Sequence, residues 1–153
     1  MAPRGADVII DDCKDVKVRI RVIPGAYSVV RVDEGRAAEA GDSASFLAGL
    51  FASGGFVSVT KTDGELSVVC ESTRLPPALP RREEGGWSLL AVEGPLDFSL
   101  TGILSAISAP LASAGISIFA VSTYDTDYVL VRAASLAAAE VALAGAGFEV
   151  IGA

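Results

Sequence analysis

The sequence contains an internal repeat, and this feature constrains the fold more than any other. Residues 56–69, FVSVTKTDGELSVV, align with residues 118–131, IFAVSTYDTDYVLV, at a constant offset of 62. Residues 27–32, YSVVRV, align with residues 87–92, WSLLAV, at an offset of 60. The repeat therefore predicts two copies of a unit in which a strand and a helix precede a β-hairpin.

The C-terminal copy predicts the element order β-α-β-β-α-β. Between Leu100 and Leu111, apolar side chains recur at the spacing of an amphipathic helix, and Gly115 can end that helix. From Ile116 the apolar period falls to two, which is typical of a strand. Strands are predicted at 87–92, 116–121, 127–132 and 148–151, and an alanine-rich helix is predicted to follow Ser135.

The N-terminal copy departs from this plan. It lacks a second helix and a fourth strand after its hairpin, and an additional strand precedes it at 16–22, VKVRIRV. We expect that strand to complete the N-terminal sheet from its other end. Between the copies, residues 71–86 combine three prolines, two glycines and a run of charges, a composition that predicts a surface linker.

Charge and histidine content exclude several kinds of function. The formal net charge of −7 argues against nucleic acid as a partner, because an acidic protein repels phosphate backbones. The chain has no histidine, so it lacks the usual general base near neutral pH and the commonest transition-metal ligand. No P-loop or GxGxxG motif follows a strand. We therefore expect no catalytic activity, no metal site and no cofactor.

The cysteines and the apolar segments bear on location. Cys13 and Cys70 lack CxxC spacing, which is typical of ordinary thiols in a reducing compartment. The N-terminus carries charges where a signal peptide requires an apolar run. Residues 98–124 carry no charge, but Pro110, Gly115 and the seven serines or threonines from Ser99 to Ser122 interrupt them, so no membrane span is expected. These features predict a cytoplasmic protein.

Four segments carry a resemblance to a known family. They are GPLDFSLTGIL at 94–104, GISIFAVSTYDTDYVLV at 115–131, and the N-terminal segments GAYSVVRV and FVSVTKTDGELSVVC. In these segments the sequence resembles the tandem ACT-domain proteins, relatives of the cytosolic arginine sensors of the CASTOR type, over roughly residues 16–151. The resemblance implies an α+β fold of two ferredoxin-like (ACT) βαββαβ modules with antiparallel sheets, the first incomplete or permuted. The expected domains are an N-terminal module at 16–72, a linker at 73–86 and a C-terminal module at 87–153.

The resemblance also implies a ligand, a free amino acid held at the interface between modules. A helix start offers unpaired backbone N–H groups to a carboxylate, and we assign that role to the backbone of Phe98 and Ser99. Asp125 or Asp127 is expected to take the ammonium group, with help from the hydroxyl of a neighbouring residue. The complete set of expected ligand-binding residues is Asp97, Phe98, Ser99, Ile118, Ser122, Thr123, Asp125 and Asp127.

Each of these residue types also has a local structural role. Asp97 can cap the helix, Phe98 can belong to the core, and Asp125 and Asp127 can stabilise their own turn. The identity of the amino acid does not follow from the sequence. The alternative function is an ACT-like oligomerisation or docking module without a small ligand, and a homodimer is compatible with either function.

Overall fold

The computed structural model describes residues 18–35, 42–94 and 102–152. Seven strands lie in these ranges: β1 Arg19–Val32, β2 Ser58–Lys61, β3 Leu66–Glu71, β4 Arg81–Val92, β5 Ile118–Ser122, β6 Asp127–Arg132 and β7 Glu149–Ile151. Three longer helices are α1 Asp42–Ala52, α2 Ile103–Ser113 and α3 Leu136–Gly145. Short 3-10 turns at Ser72–Arg74 and Ala133–Ser135 follow β3 and β6. The predicted order of the C-terminal half, β-α-β-β-α-β, is confirmed.

The helices form where the apolar periodicity predicts them. In α2, Ile103, Ile107 and Leu111 are buried and share one face of the helix. Pro110 lies inside the last turns of α2, and the helix nevertheless continues to Ser113. None of the helices in the described ranges has the length and apolar content needed to span a bilayer.

All seven strands join one sheet. Six follow the order β2-β3-β1-β4-β6-β5, in which every neighbouring pair is antiparallel, and β7 pairs with β1 in parallel. The prediction for the strand at 16–22 was wrong in its partner. Residues 20–23 of β1 pair with residues 89–92 of the C-terminal half, and residues 19–21 pair with β7. Tertiary packing explains this partner, because Ile20 and Val22 are buried in the C-terminal core.

The second half of the predicted linker is a strand. Residues 81–84 pair with residues 29–32 of β1, and the charged side chains between them are half-buried or exposed. The register between β1 and β4 shifts near Gly85 and Gly86, which together oppose Ser28. Gly86 has a positive φ of 74°, and a Cβ on Gly85 would lie 3.3 Å from Ser28 Oγ. The two glycines therefore form a β-bulge that sequence composition alone does not distinguish from a linker.

The two long strands are shared between the halves of the chain. The C-terminal part of β1 begins the N-terminal half, whereas its N-terminal part lies between β4 and β7 of the other half. In strand β4 the order is reversed, because residues 81–84 pair with residues 29–32 of the N-terminal half and residues 89–92 belong to the C-terminal half. Tyr27 and Trp87, which correspond in the repeat, are paired across the centre. A residue that pairs with its own repeat equivalent indicates an internal two-fold relation between the halves.

The structure also corrects the repeat register in the hairpins. Strands β3 and β6 begin at 66 and 127, and the 3-10 turns that follow them begin at 72 and 133, a separation of 61 in both cases. The predicted offset of 62 was therefore wrong by one residue. It aligned the acidic turn residues Glu65 and Asp127, whereas the hydrogen bonds of the two turns make Thr62 the equivalent of Thr123.

Three apolar clusters stabilise the sheet. One lies in the C-terminal half around Leu111, Ala139 and Leu143, and one lies in the N-terminal half around Phe46 and Leu50. The third contains Tyr27, Val69, Trp87, Leu89 and Leu130, with Phe56 and Tyr128 packed against it. The rings of Phe56, which precedes β2, and Tyr128, in β6, have centroids 4.6 Å apart. The sheet is therefore curled, because this contact joins residues from the two halves.

Candidate functional site

The predicted ligand-binding residues fall into two groups. Asp97, Phe98 and Ser99, which were expected to bind the carboxylate, lie outside the described residues. The other five lie in β5, at the bend after it and at the start of β6. Of these, Ile118 and Asp127 are half-buried, and Ser122, Thr123 and Asp125 are exposed.

The bend between β5 and β6 is closed by its own hydrogen bonds. The backbone N–H of Thr123 donates to the carbonyl oxygen of Thr126 at 2.8 Å, and the Ser122 hydroxyl donates to the Asp127 carboxylate. The Thr126 hydroxyl donates to the carbonyl oxygen of Val92 at 2.6 Å. This last bond places the bend beside the end of β4, where the chain leaves for residues 95–101 and α2. The structure therefore brings the bend to the start of the predicted loop.

An ion-pair network that the sequence reasoning missed lies at the same end of β4. Glu93 follows Val92 and pairs with Arg21 and with Arg19, the latter at 3.1 Å. The hydrogen bond from Arg21 is the main reason that the pKa of Glu93 lies below its ordinary value, and the charge of Arg19 adds to it. Arg19 also lies 3.6 Å from Glu149 of β7. Glu93 therefore neutralises the arginines of β1 at this position.

A cavity lies at the repeat-equivalent position of the N-terminal half. Its volume is about 520 Å³. The backbone N–H of Asp33 donates to the carbonyl oxygen of Pro80 at 2.9 Å, just as the backbone N–H of Glu93 donates to the carbonyl oxygen of Arg19 at 2.8 Å. The lining residues come from the end of β1, the β2–β3 turn and the start of β4: Arg31, Val32, Asp33, Glu34, Gly64, Glu65, Pro80, Arg81 and Arg82.

The cavity lining carries both signs of charge in equal number, with three arginines and three carboxylates. Arg31 donates to the carbonyl oxygen of Gly64 at 2.9 Å, and its guanidinium lies 3.9 Å from the Glu65 carboxylate. Glu34, which lines the cavity, pairs at 2.7 Å with Lys61, which does not. Positively charged donors and negatively charged acceptors therefore line one cavity at the end of β1 and the start of β4. That arrangement suits a small zwitterion.

A second cavity, of about 510 Å³, lies beside α1 and is mostly apolar. Phe46 and Leu50 of α1 form one side, and Leu79 of the connection to β4 contributes to the other. Arg74 donates from Nη2 to the carbonyl oxygens of Leu50 and Ser53, which lie at the C-terminal end of α1. Arg74 therefore fixes the end of the helix, where a cation is electrostatically favourable.

Within the described residues there is no group of three or more metal-binding side chains that could hold a metal ion. Cys70 is a buried free thiol in β3. Burial is the main cause that raises the pKa of Cys70 to about 11, so the thiolate is disfavoured at neutral pH.

Comparison with known proteins identifies the fold family. The profile of the ACT domain matches residues 82–145, and a profile for an N-terminal domain matches residues 51–78. Within this chain, residues 82–145 therefore match the ACT domain. The chain also belongs to the same family as a protein from Agrobacterium tumefaciens with a known X-ray structure, to which it is 36% identical. The match covers 90% of this chain and 95% of the other, with a TM-score of 0.72.

Two aspartate kinase structures show the same fold at low identity. The aspartate kinase of Clostridium acetobutylicum is 16% identical, with a TM-score of 0.62 over 84% of this chain and 34% of the kinase. The regulatory subunit of aspartate kinase from Thermus thermophilus, in its ligand-free form, is 12% identical, with a TM-score of 0.57 over 83% and 96% of the two chains. No curated protein matches in sequence. The predicted α+β, ACT-like fold is confirmed.

Proposed function

We propose that this ACT-domain protein is a non-catalytic regulatory protein that binds a free amino acid beside strands β1 and β4, which its two halves share. The observation that carries the proposal is the cavity between the end of β1 and the start of β4, which holds arginine and carboxylate side chains. A free amino acid carries one charge of each sign, so both can be matched in one such space. The volume of about 520 Å³ lies within the usual range for small-molecule sites.

The resemblance to the CASTOR-type sensors belongs to the same proposal. In this view, each half of the chain is an ACT unit, and the two units exchange strands through β1 and β4. The repeat then offers two candidate positions for a ligand. One is the N-terminal cavity, and the other is the predicted C-terminal position, with Asp97, Phe98 and Ser99 on its loop and the 122–127 bend opposite.

A regulatory rather than catalytic role is supported by the chemistry of the side chains. The chain has no histidine, and Cys70 is a buried thiol whose raised pKa disfavours the nucleophilic form. A free buried thiol is also compatible with the cytoplasm, where we place the protein.

A thermal-shift screen against the twenty amino acids tests the proposal. A ligand present at about 100 times its dissociation constant stabilises the folded protein by about 2.7 kcal/mol. For a chain of this size we therefore expect the melting temperature to rise by about 5–10 °C for one amino acid or a few related ones. The D-enantiomer of each active amino acid is the control. If all twenty leave the melting temperature unchanged, the amino-acid function is wrong.

Substitutions test the predicted C-terminal position separately. Asp125→Ala and Asp127→Ala are expected to weaken binding of the active amino acid if its ammonium group lies at the bend. Glu140→Ala, which removes a carboxylate of α3 outside both proposed positions, is the control. Normal affinity in both variants would exclude the bend as the ammonium site without excluding amino-acid binding.

The alternative proposal is an ACT-like module that serves only for oligomerisation or docking. It is favoured by β5, which ends the sheet and pairs only with β6, and by exposed apolar side chains such as Phe51 and Val141. Sedimentation equilibrium distinguishes the two functions. The alternative predicts a stable homodimer whose association does not change when any amino acid is added.

A further inference from the structure

Arg31 of β1 and Arg82 of β4 are cross-strand partners on neighbouring strands, and both line the N-terminal cavity. We infer that these two arginines bind the carboxylate of one ligand per chain, and that the repeat-equivalent C-terminal position is occupied by the protein's own carboxylate. This inference rests on the proposed amino-acid function and assigns the site to specific residues.

The two arginines are incompletely neutralised by the protein. The side chain of Arg82 makes no hydrogen bond or ion pair with any residue in the described ranges. The carboxylate nearest to Arg31 is Glu65, at 3.9 Å, and the short hydrogen bond of Arg31 goes to a backbone carbonyl. Like charges directly opposite on neighbouring strands repel each other. An anion between the two guanidinium groups removes that repulsion.

A carboxylate is the anion that this geometry fits. Each guanidinium presents planar pairs of N–H donors that match the two oxygens of a carboxylate. Glu65 lines the same cavity and supplies negative charge for an ammonium group. A free amino acid carries both groups, whereas a simple carboxylate or phosphate engages only the arginines.

The C-terminal position lacks one of the two arginines, and its remaining arginine is paired with a carboxylate. There, the cross-strand partner of Arg21 is Ala91. At the repeat offset of 60, Ala91 is the equivalent of Arg31. Arg21 is already paired with Glu93, and Glu93 is also held by Arg19. An internal carboxylate therefore takes the place that a ligand carboxylate has at the N-terminal position. The repeat has diverged into one open and one closed position.

Arg82→Ala and Arg31→Ala test this inference, with Arg21→Ala as the matched control. Arg31 and Arg21 lie on the same strand, and their side chains are 53% and 55% exposed. The probes are the amino acid that is active in the thermal-shift screen, its α-carboxamide, and inorganic phosphate. Isothermal titration calorimetry is expected to give one site per wild-type chain, with affinity reduced at least tenfold in both cavity variants. The carboxamide is expected not to bind.

If the two arginines had a purely structural role, their removal would lower the melting temperature of the ligand-free protein. Removal of one like charge is expected to leave the melting temperature of the ligand-free variants equal to or above that of the wild type. Phosphate is expected to stabilise the wild type and the Arg21→Ala variant more than either cavity variant.

Three results would overturn the inference. Two of them leave amino-acid binding intact: full affinity in both cavity variants, or two equal sites per chain. The third applies even when no amino acid binds at all, because an equal response of all variants to phosphate would show that the arginine pair is not an anion site.

Discussion

Strands β1 and β4 each contribute to both halves of the molecule, so we expect the chain to unfold as one cooperative unit. Leu143 of α3 is fully buried in the C-terminal cluster, and Leu50 of α1 is 3% exposed in the N-terminal cluster. Substitution of either leucine by alanine removes buried methyl groups and leaves a cavity, which costs about 2–5 kcal/mol of unfolding free energy. A value of about 3 kcal/mol lowers the melting temperature by about 6–12 °C in a chain of this length.

The assay follows thermal unfolding by far-ultraviolet circular dichroism and by the fluorescence of Trp87, the only tryptophan of the chain. Trp87 lies at the centre of the shared strands, opposite Tyr27. We expect a single transition by both probes in the wild type, and a shift of that whole transition in both Leu143→Ala and Leu50→Ala. Val141→Ala is the control, since Val141 lies on the same helix as Leu143 and is 73% exposed. Its effect is expected to stay within about 0.5 kcal/mol.

Independent modules would give a different result. If the halves at 16–72 and 87–153 folded separately, Leu143→Ala would lower only one of two transitions and leave the other in place. Two resolved transitions, or probes that disagree on the midpoint, would refute the argument from the shared strands.

Three further predictions follow from single side chains. The buried Ser28 donates a hydrogen bond to Glu83, which is the main reason that the pKa of Glu83 is lowered. A carboxyl group with a lowered pKa stabilises the fold at pH values above its unfolded-state pKa, and this stabilisation is lost as the pH falls through its folded-state pKa. Ser28→Ala is therefore expected to lower the free energy of unfolding by about 1–3 kcal/mol at pH 7 and by less below about pH 4, as measured by urea denaturation. Burial raises the pKa of Cys70 to about 11, so peptide mapping after alkylation at pH 8 is expected to find this thiol unmodified in native protein and modified in urea; rapid native labelling would contradict its buried position. The guanidinium of Arg132 lies 4.0 Å from the ring centroid of Trp87, so Arg132→Ala is expected to change the tryptophan emission and to cost about 0.5–1 kcal/mol, whereas an unchanged emission spectrum would argue against the contact.

The parts of the fold that depend on neighbouring residues could be predicted well. The apolar spacing in α2 predicts its buried face, and the period of two after Ile116 predicts β5. The partner of the first strand was not predictable in this way. Alternation of apolar and basic residues at 16–22 indicates a strand with one buried face, but it contains no information about which other strand supplies the hydrogen bonds.

The candidate site shows the same limit. Asp125 and Asp127 could be selected because they lie in a turn that precedes a strand, and the structure does place their bend beside the end of β4. The arginine pair could not be found by spacing, because Arg31 and Arg82 lie on different strands and become neighbours only through the register of β1 with β4. A predicted linker at 73–86 also concealed Arg82.

The sequence by itself therefore determined the elements, the repeat and the buried faces, since these depend on side-chain periods within about ten residues of one another. The tertiary structure decided how the two copies combine. Strand β1 extends past its own half, because Ile20 and Val22 gain burial in the core of the other. That exchange joins the halves into one sheet, and it brings two arginines from distant parts of the chain together in the lining of one cavity.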